Sequence, residues 1–368
     1  MKLKELLAKV TDLSQFKPHP ALEKDVLGLA TNSHACQTGD LFIGMPGTRV
    51  DGGDFWPGAI ANGAVAALVS ESAAKKTPPA RSENPELPCV IAVPNMTASC
   101  AQVAAAFYGY PAQQLQLVGV TGTNGKTTTT HLIEYLLELA EKPTALFGTL
   151  YTRWLGSQVS AAYTTPFAVE LHQKLAEAVK AGCRYGVMEV SSHALHQGRV
   201  LECPFEVAVF TNLTQDHLDY HPTMEDYFEA KALLFTPQYL KGRAIINADD
   251  PYGKRLIERL ETHQVWSYSI NDSKADLWAD QLCYQPNGVK GVLHTPQGEA
   301  AFELPLVGQY NLSNLLAAVG AGIIGSDHHH IRQICGNFSH FRAFGAIAIS
   351  PAAKYTNHSP RNKRTGSF

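Results

Sequence analysis

From Leu115 onward the chain alternates short, nearly unbroken apolar runs with longer stretches whose apolar residues recur at helical spacing. Unbroken runs of that length fit strands buried on both faces, and the stretches between them fit amphipathic helices. The pattern therefore predicts a mostly parallel sheet covered on both sides. LQLVGV, TALFGT, YGVMEV, VAVFTN and RAIINA are the predicted strands. Predicted helices cover residues 126–141, 169–181, 224–234 and 251–261, and another runs from about Asn311 to Gly325. Up to about Pro111 the pattern is different, with short β-rich runs at 64–69 and 90–93 and an Ala-rich helix over 96–108 that Tyr110-Pro111 ends. MKLKELLAKVTDLSQ carries charges among its apolar residues and predicts an amphipathic helix, not a signal peptide. The Pro-, Ser- and Lys-rich stretch 75–88 predicts a surface loop, and the basic, Ser- and Asn-rich end after His340 is poor material for a packed domain.

With 368 residues, 45% of them apolar, the chain can bury two or three cores. A formal charge of -3 gives no basic field to attract nucleic acid or an anionic membrane, so any bound anion must meet a local site. Seven cysteines at 36, 89, 100, 183, 203, 283 and 335 form no CxxC pair, which fits a reducing cytoplasm. No run of eighteen apolar residues occurs, so no membrane span is expected.

The chemistry concentrates in LVGVTGTNGKTTTT. An apolar strand leads into a Gly-rich turn, then Lys126 and a run of threonines that opens a helix. In that arrangement backbone N–H groups of the turn and of the helix N-terminus converge on one anion site. Gly122 and Gly125 let the backbone approach phosphate, Lys126 suits the β- and γ-phosphates of ATP, and the Thr127 hydroxyl suits Mg²⁺. A strict Walker loop would have Gly where Val120 stands, with Gly119 one place earlier, so the strand-to-helix context carries the reading. Glu189 falls at the carboxyl end of the YGVMEV strand, the side on which open α/β sheets hold ligands, and can reach the metal. A solvated loop residue is the rival reading.

At these residues the chain resembles the Mur ligase family, whose phosphate loop reads GxTGTNGKTT, and the resemblance continues for more than two hundred residues. It is strongest to the branch that extends a UDP-N-acetylmuramoyl-dipeptide by a diamino acid. The fold it implies is α/β, with an N-terminal UDP-binding domain over 1–110 and a central, mostly parallel-sheet P-loop ATPase-like domain over 111–336. The C-terminal Rossmann-like domain is expected to be absent, and 337–368 to form an irregular tail. The resemblance adds Thr123, Asn124 and Thr128 to the ATP site, and it sets Asn311 of GQYNLSN beside the adenine. A helix N-cap is the rival reading for Asn311.

From the same resemblance, Thr164 and Thr165 of the TTP turn, with Ser191, Gln197 and Arg199, grip the sugar-peptide. His217 of TNLTQDHLDYH binds metal. Lys231 of EAKALLF becomes carbamoylated and helps hold a second Mg²⁺. Thr31, Ser33, Thr48, Arg49 and Val50 meet the UDP part, although Asn32 and His34 stand where the family more often has Asp and Arg, and Thr38 replaces Pro. The implied reaction activates a substrate carboxylate as an acyl phosphate, which the incoming amine attacks.

After His340 the chain reads FRAFGAIAIS where the family has GVPGRME, and neither DYAHxP nor DNPR occurs. A product truncated or frame-shifted from about residue 341, able to bind ATP and the UDP-muramoyl-dipeptide but to ligate poorly, is the expectation, and so is a monomer. A folylpolyglutamate synthase, which lacks a separate UDP-binding domain, and a non-catalytic nucleotide- or UDP-sugar-binding protein are the alternatives.

Overall fold

The computed structural model describes residues 1–11, 13, 18–47, 49–76 and 88–323. Its first sheet is wholly parallel, in the order β1 (Gly28–Ala30), β2 (Asp40–Ile43), β3 (Ala66–Ser70) and β4 (Val90–Val93). Helices α1 (Leu3–Leu7), α2 (Trp56–Ala61), α3 (Glu71–Lys76) and α4 (Met96–Phe107) surround it. Side chains alternate across the pleat. Leu41, Ile43, Ala66 and Leu68 join α1 and α4 in one cluster, while Phe42, Ala67 and Val69 meet Trp56 and Ala59 of α2 in another.

Two expectations need correction here. The N-terminal helix stops at Leu7, because Thr11 instead binds Gln102 of α4 through its N–H (3.1 Å) and hydroxyl (3.3 Å). Val10 and Leu13 still reach the core, and residues 12 and 14–17 lie outside the described residues. Lys75 and Lys76, expected in a loop, complete α3, where Lys76 pairs with Asp54 at 3.0 Å. Residues 77–87 are not among those described.

The second sheet has eight strands in the order β12-β11-β10-β5-β9-β6-β7-β8. In chain order its elements are β5 (Gln116–Thr121), α5 (Lys126–Leu139), β6 (Thr144–Phe147), β7 (Tyr151–Trp154), β8 (Ser157–Ser160), α6 (Ala168–Lys180) and β9 (Tyr185–Glu189). There follow α7 (Ser192–His196), β10 (Phe205–Phe210), α8 (Met224–Ala232), β11 (Leu240–Asn247), α9 (Pro251–Arg259) and β12 (Val265–Tyr268). Strands from β12 to β6 pair in parallel, and β7 and β8 add antiparallel. All five strands expected here form, the largest shift being at β11, which starts at Leu240 instead of Arg243. Both faces are covered, as the unbroken apolar runs require. Val118, Val120, Val187 and Val209 pack with Leu132 and Leu136 of α5, and Leu117, Met188, Ala208 and Phe210 pack with Leu171 of α6 and Phe228 of α8.

Three further strands, β13 (Trp278–Gln285), β14 (Gly288–Thr295) and β15 (Gly298–Leu304), form an antiparallel sheet of their own and lead into α10 (Gln309–Ile323). Leu293, Phe302 and Leu304 join the α5 and α10 side of the core. The six cysteines among the described residues are free. No helix among those residues is long and apolar enough to cross a membrane. The tail expected over 337–368 falls outside the description.

This topology fixes where a ligand can sit. Successive strands leave β5 in both directions, to β9 and β6 on one side and to β10, β11 and β12 on the other. The crevice at the carboxyl end of β5, where the connections diverge, is the binding position of an open α/β sheet.

Candidate active site

Residues 122–125 join β5 to α5 at that crevice. Gly122 has φ 148°, and a Cβ there would sit 1.9 Å from the Thr211 hydroxyl oxygen, so no side chain fits. Asn212, after β10, accepts the Thr123 N–H through its carbonyl (2.8 Å) and the Asn124 N–H through Oδ1 (3.0 Å). These two amides of the turn are thus held by protein, contrary to the expectation that they face phosphate. The N–H groups at the start of α5, which lack intrahelical partners, remain as the donors that could meet an anion.

Lys126, the first residue of α5, folds back so that Nζ donates to the carbonyls of Gly122 and Thr123, each at 2.9 Å. Lys231, on α8, donates to the same Gly122 carbonyl at 2.8 Å and lies 4.5 Å from the centre of the Tyr227 ring. Lys231 is buried and Lys126 partly so, and loss of hydration lowers both pKa values. The fall is the larger at Lys231, which also feels the charge of Lys126. Two lysine amines on one carbonyl gather N–H donors at one point, which suits polyphosphate oxygens.

Glu189 ends β9 fully buried, with donors on every side. Its Oε2 accepts from the hydroxyls of Thr127 (3.0 Å) and Thr149 (2.9 Å), and its Oε1 from the Thr149 N–H (2.8 Å). This carboxylate is no solvated loop residue. His217 is half-exposed and adopts φ 53°, an unusual conformation for a residue with a Cβ. It packs edge-on against His193 in a cluster with Tyr220, His221 and Tyr227.

A cavity of about 270 Å³ brings together Thr123 to Thr128, Thr164, Glu189, Ser191, His217 and Lys231, all expected from the sequence, and also Thr149 and Ser192, which were not. Its oxygen donors fit a hard cation. Thr127 and Glu189 face one space, and no trio of His, Cys, Asp or Glu able to hold a metal occurs among the described residues. Mg²⁺ needs just this, one or two carboxylate or hydroxyl ligands with phosphate oxygens and water completing the shell.

A second cavity, of about 370 Å³, lies between the first sheet and α6. Thr31, Gln197 and Arg199 line it, with Leu29, Met45 and Phe167 supplying an apolar wall. Arg199 is held in place: it donates to Gln197 Oε1 (2.9 and 2.7 Å) and the Thr165 carbonyl (2.9 Å), and it stacks 4.0 Å from the Phe167 ring centre. Thr165 is buried, its hydroxyl committed to the Glu189 carbonyl (2.8 Å) and the Ser191 N–H (3.1 Å), so it joins the two cavities through its backbone. Ser191 also caps α7.

Ser33, Arg49, Val50 and Asn311 line neither cavity. Ser33 is buried in a short 3-10 helix, Arg49 and Val50 are exposed, and Thr48 lies outside the described residues. Asn311 sits inside α10 and not at its cap. Its Nδ2 donates to the Val307 carbonyl (2.9 Å), and its Oδ1 accepts from Asn314 (3.3 Å), which in turn reaches Thr129 behind the phosphate loop.

A Gly-rich turn between a central parallel strand and a helix headed by Lys and Thr, with a buried carboxylate on the next strand, defines a phosphate-loop protein of the α/β class. The chain belongs to the Mur ligase family: the Mur ligase middle domain matches residues 120–322, and the Mur ligase family, catalytic domain matches residues 25–108. It is 67% identical over 321 residues to the UDP-N-acetylmuramoyl-L-alanyl-D-glutamate--2,6-diaminopimelate ligase of Trichormus variabilis, covering 87% of this chain and 64% of that protein. To the protein of that name from Synechocystis it is 62% identical over 331 residues, covering 88% of this chain and 65% of the relative. A solved structure of a ligase with the same name superposes with a TM-score of 0.75 at 29% identity, over 91% of this chain and 66% of that one. The chain thus spans slightly less than two thirds of the length of these curated relatives.

Proposed function

We propose that the chain carries the ATP site and the UDP-muramoyl-peptide site of a peptidoglycan-precursor ligase, one that adds 2,6-diaminopimelate to UDP-N-acetylmuramoyl-L-alanyl-D-glutamate. The observation that carries this reading is the junction of the two cavities. Arg199 in one is bonded to the TTP turn whose Thr164 lines the other, so a substrate anchored by its diphosphate and sugar extends its peptide toward the phosphate loop. Arg199 and Gln197 suit an anionic muramoyl-peptide, since a preset guanidinium fork binds carboxylate or phosphate bidentately. In this reading Thr31, which lines the second cavity, stands on the uridine side, Ser33 and residues 48–50 would meet the uridine beyond it, and Asn311 would face the adenine. The family match over 25–108 favours a UDP-linked substrate over a folate.

Within this reading Lys126 neutralises charge developing on the β- and γ-phosphates while the substrate carboxylate takes the γ-phosphoryl group. Thr127, Glu189 and His217 would hold Mg²⁺, which when bound offsets phosphate charge and aligns the transferring group. A cytoplasmic monomer goes with this reading, and the free cysteines are in keeping with it.

Titration calorimetry tests the pairing of sites. The chain is expected to bind Mg²⁺-ATP and UDP-N-acetylmuramoyl-L-alanyl-D-glutamate independently, with Arg199→Ala weakening only the second. ATP binding without any heat from the UDP-linked dipeptide would overturn the substrate assignment and favour the folate-type ligase.

Lys231 belongs to the same proposal. An amine must be uncharged to attack CO₂, and burial beside Lys126 favours the uncharged form. A carbamate there would turn a second cation into an anion next to the metal ligands. Isotopically labelled bicarbonate should give a carbamate resonance in the wild-type NMR spectrum that is missing from Lys231→Arg. Equal spectra would show that Lys231 acts as a plain amine.

A further inference from the structure

Glu189 receives more donors from Thr149 than from the phosphate loop itself. Thr149 lies two residues past the end of β6, and its backbone N–H and hydroxyl bond the two carboxylate oxygens separately, at 2.8 and 2.9 Å. The residue before it is glycine, and a Cβ on Gly148 would come within 2.6 Å of Glu189 Oε1 and push the carboxylate out of place. The Thr149 hydroxyl also lies 3.1 Å from that of Thr164, in the turn that borders the second cavity.

The segment after Thr149 is fixed to the phosphate-loop helix at two more points. The Tyr151 hydroxyl is 2.8 Å from His131 Nε2, and His131 Nδ1 is 2.7 Å from the Thr127 carbonyl. A carbonyl only accepts, so Nδ1 carries the proton and Nε2 accepts from tyrosine. Arg153 then forms a forked pair with the buried carboxylate of Glu134. Tyr151 and Arg153 share one face of β7, Thr149 lies in the bend two residues before it, and Thr127, His131 and Glu134 succeed one another along one face of α5. The contacts make three rungs of one ladder: Thr149 meets Thr127 through Glu189, Tyr151 meets His131, and Arg153 meets Glu134.

We infer that the Gly148–Arg153 segment is a splint that sets Glu189 in register with the phosphate loop, and that Thr149 is the positioning residue through which it acts on the bound metal. The splint fixes both oxygens of a carboxylate that has no cation as a direct partner among the described contacts, so its direction depends on hydroxyl and amide donors alone. Groups that orient a metal ligand in this way contribute strongly to metal affinity without touching the ion. The inference rests on the reading of Glu189 as a metal ligand.

The test is Mn²⁺ binding to the 368-residue chain, followed by electron paramagnetic resonance in the presence of a non-hydrolysable ATP analogue. Thr149→Val keeps the backbone N–H and loses the hydroxyl, and it is expected to weaken Mn²⁺ binding about tenfold. Thr149→Ser should restore affinity to near wild type. Thr149→Cys loses the methyl group and replaces the hydroxyl by a weak S–H donor, and it covers the case in which the valine variant does not fold. An intermediate loss of about threefold is expected for it. Wild-type Mn²⁺ affinity in folded Thr149→Val or Thr149→Cys would overturn the inference. If Glu189→Gln also binds Mn²⁺ normally, the metal reading itself is wrong and the inference falls with it.

Discussion

Replacing Lys126 by alanine should weaken Mg²⁺-ATP binding by roughly a hundredfold or more, the loss typical when one partner of a buried charge pair is removed. The side chain is the first of α5 and already bridges two loop carbonyls, so its ammonium sits where polyphosphate oxygens must lie. Its burial lowers its pKa, which means that removing it relieves a desolvated cation and should leave the fold intact. Unchanged thermal unfolding without ligand is therefore part of the expected result. Arginine should not substitute, because its planar fork cannot occupy the narrow space between the Gly122 and Thr123 carbonyls as a point charge does. Calorimetry is the check, and an affinity within about threefold of wild type would remove the phosphate-loop assignment.

Arg153→Met should have the largest effect on stability. Glu134 is buried on α5, and Arg153 of β7 supplies its counter-charge. Methionine keeps most of the bulk and leaves a buried carboxylate uncompensated, at a cost of about 3 kcal/mol near neutral pH. The pH dependence follows from the direction of the shift. Burial holds the Glu134 pKa above its ordinary value of 4.5 even beside Arg153, so the folded state binds that proton more tightly than the unfolded chain does. Such a group contributes stability that is complete below its unfolded pKa and is lost as pH rises through the folded value. Without the guanidinium the folded value moves higher still. The deficit of the variant should therefore be small near pH 4.5 and grow toward neutrality. Urea unfolding across that range measures it, and a pH-independent deficit would assign the loss to packing. Adding Glu134→Gln should recover much of it, since an ion pair replaced as a unit leaves no orphan charge.

The sheet and the phosphate loop were legible because their determinants are local. Unbroken apolar runs such as VAVF specify two-sided burial, and a Gly-rich turn before Lys126 specifies an anion site whatever surrounds it. The hairpin of β7 and β8 was not read, because YTRW and SQVS have neither a clean alternation nor an apolar run, and the ties that hold Tyr151 and Arg153 lie on a distant helix. The β13 to β15 sheet was missed for a similar reason: most of its positions are only half-buried. Thr149 had one available signal, its place just past the carboxyl end of a parallel strand, yet nothing local tells that hydroxyl from any other threonine. The N-terminal helix was read too long because side-chain periodicity continues past Leu7 while the backbone turns away to meet Gln102.

The antiparallel hairpin at the end of the second sheet also bears on the behaviour of the protein in concentrated solution. A parallel sheet that ended at β6 would offer an unpaired row of amides and carbonyls beside the apolar run Thr144–Phe147, a template for another chain. Here the sheet ends on β8, four residues long, largely exposed, and rich in serine. Short polar edges of this kind discourage strand addition. The segment that aims Glu189 thus also shields the sheet from aggregation, and a variant that loosens its ties to α5 should be expected to lose solubility along with metal affinity.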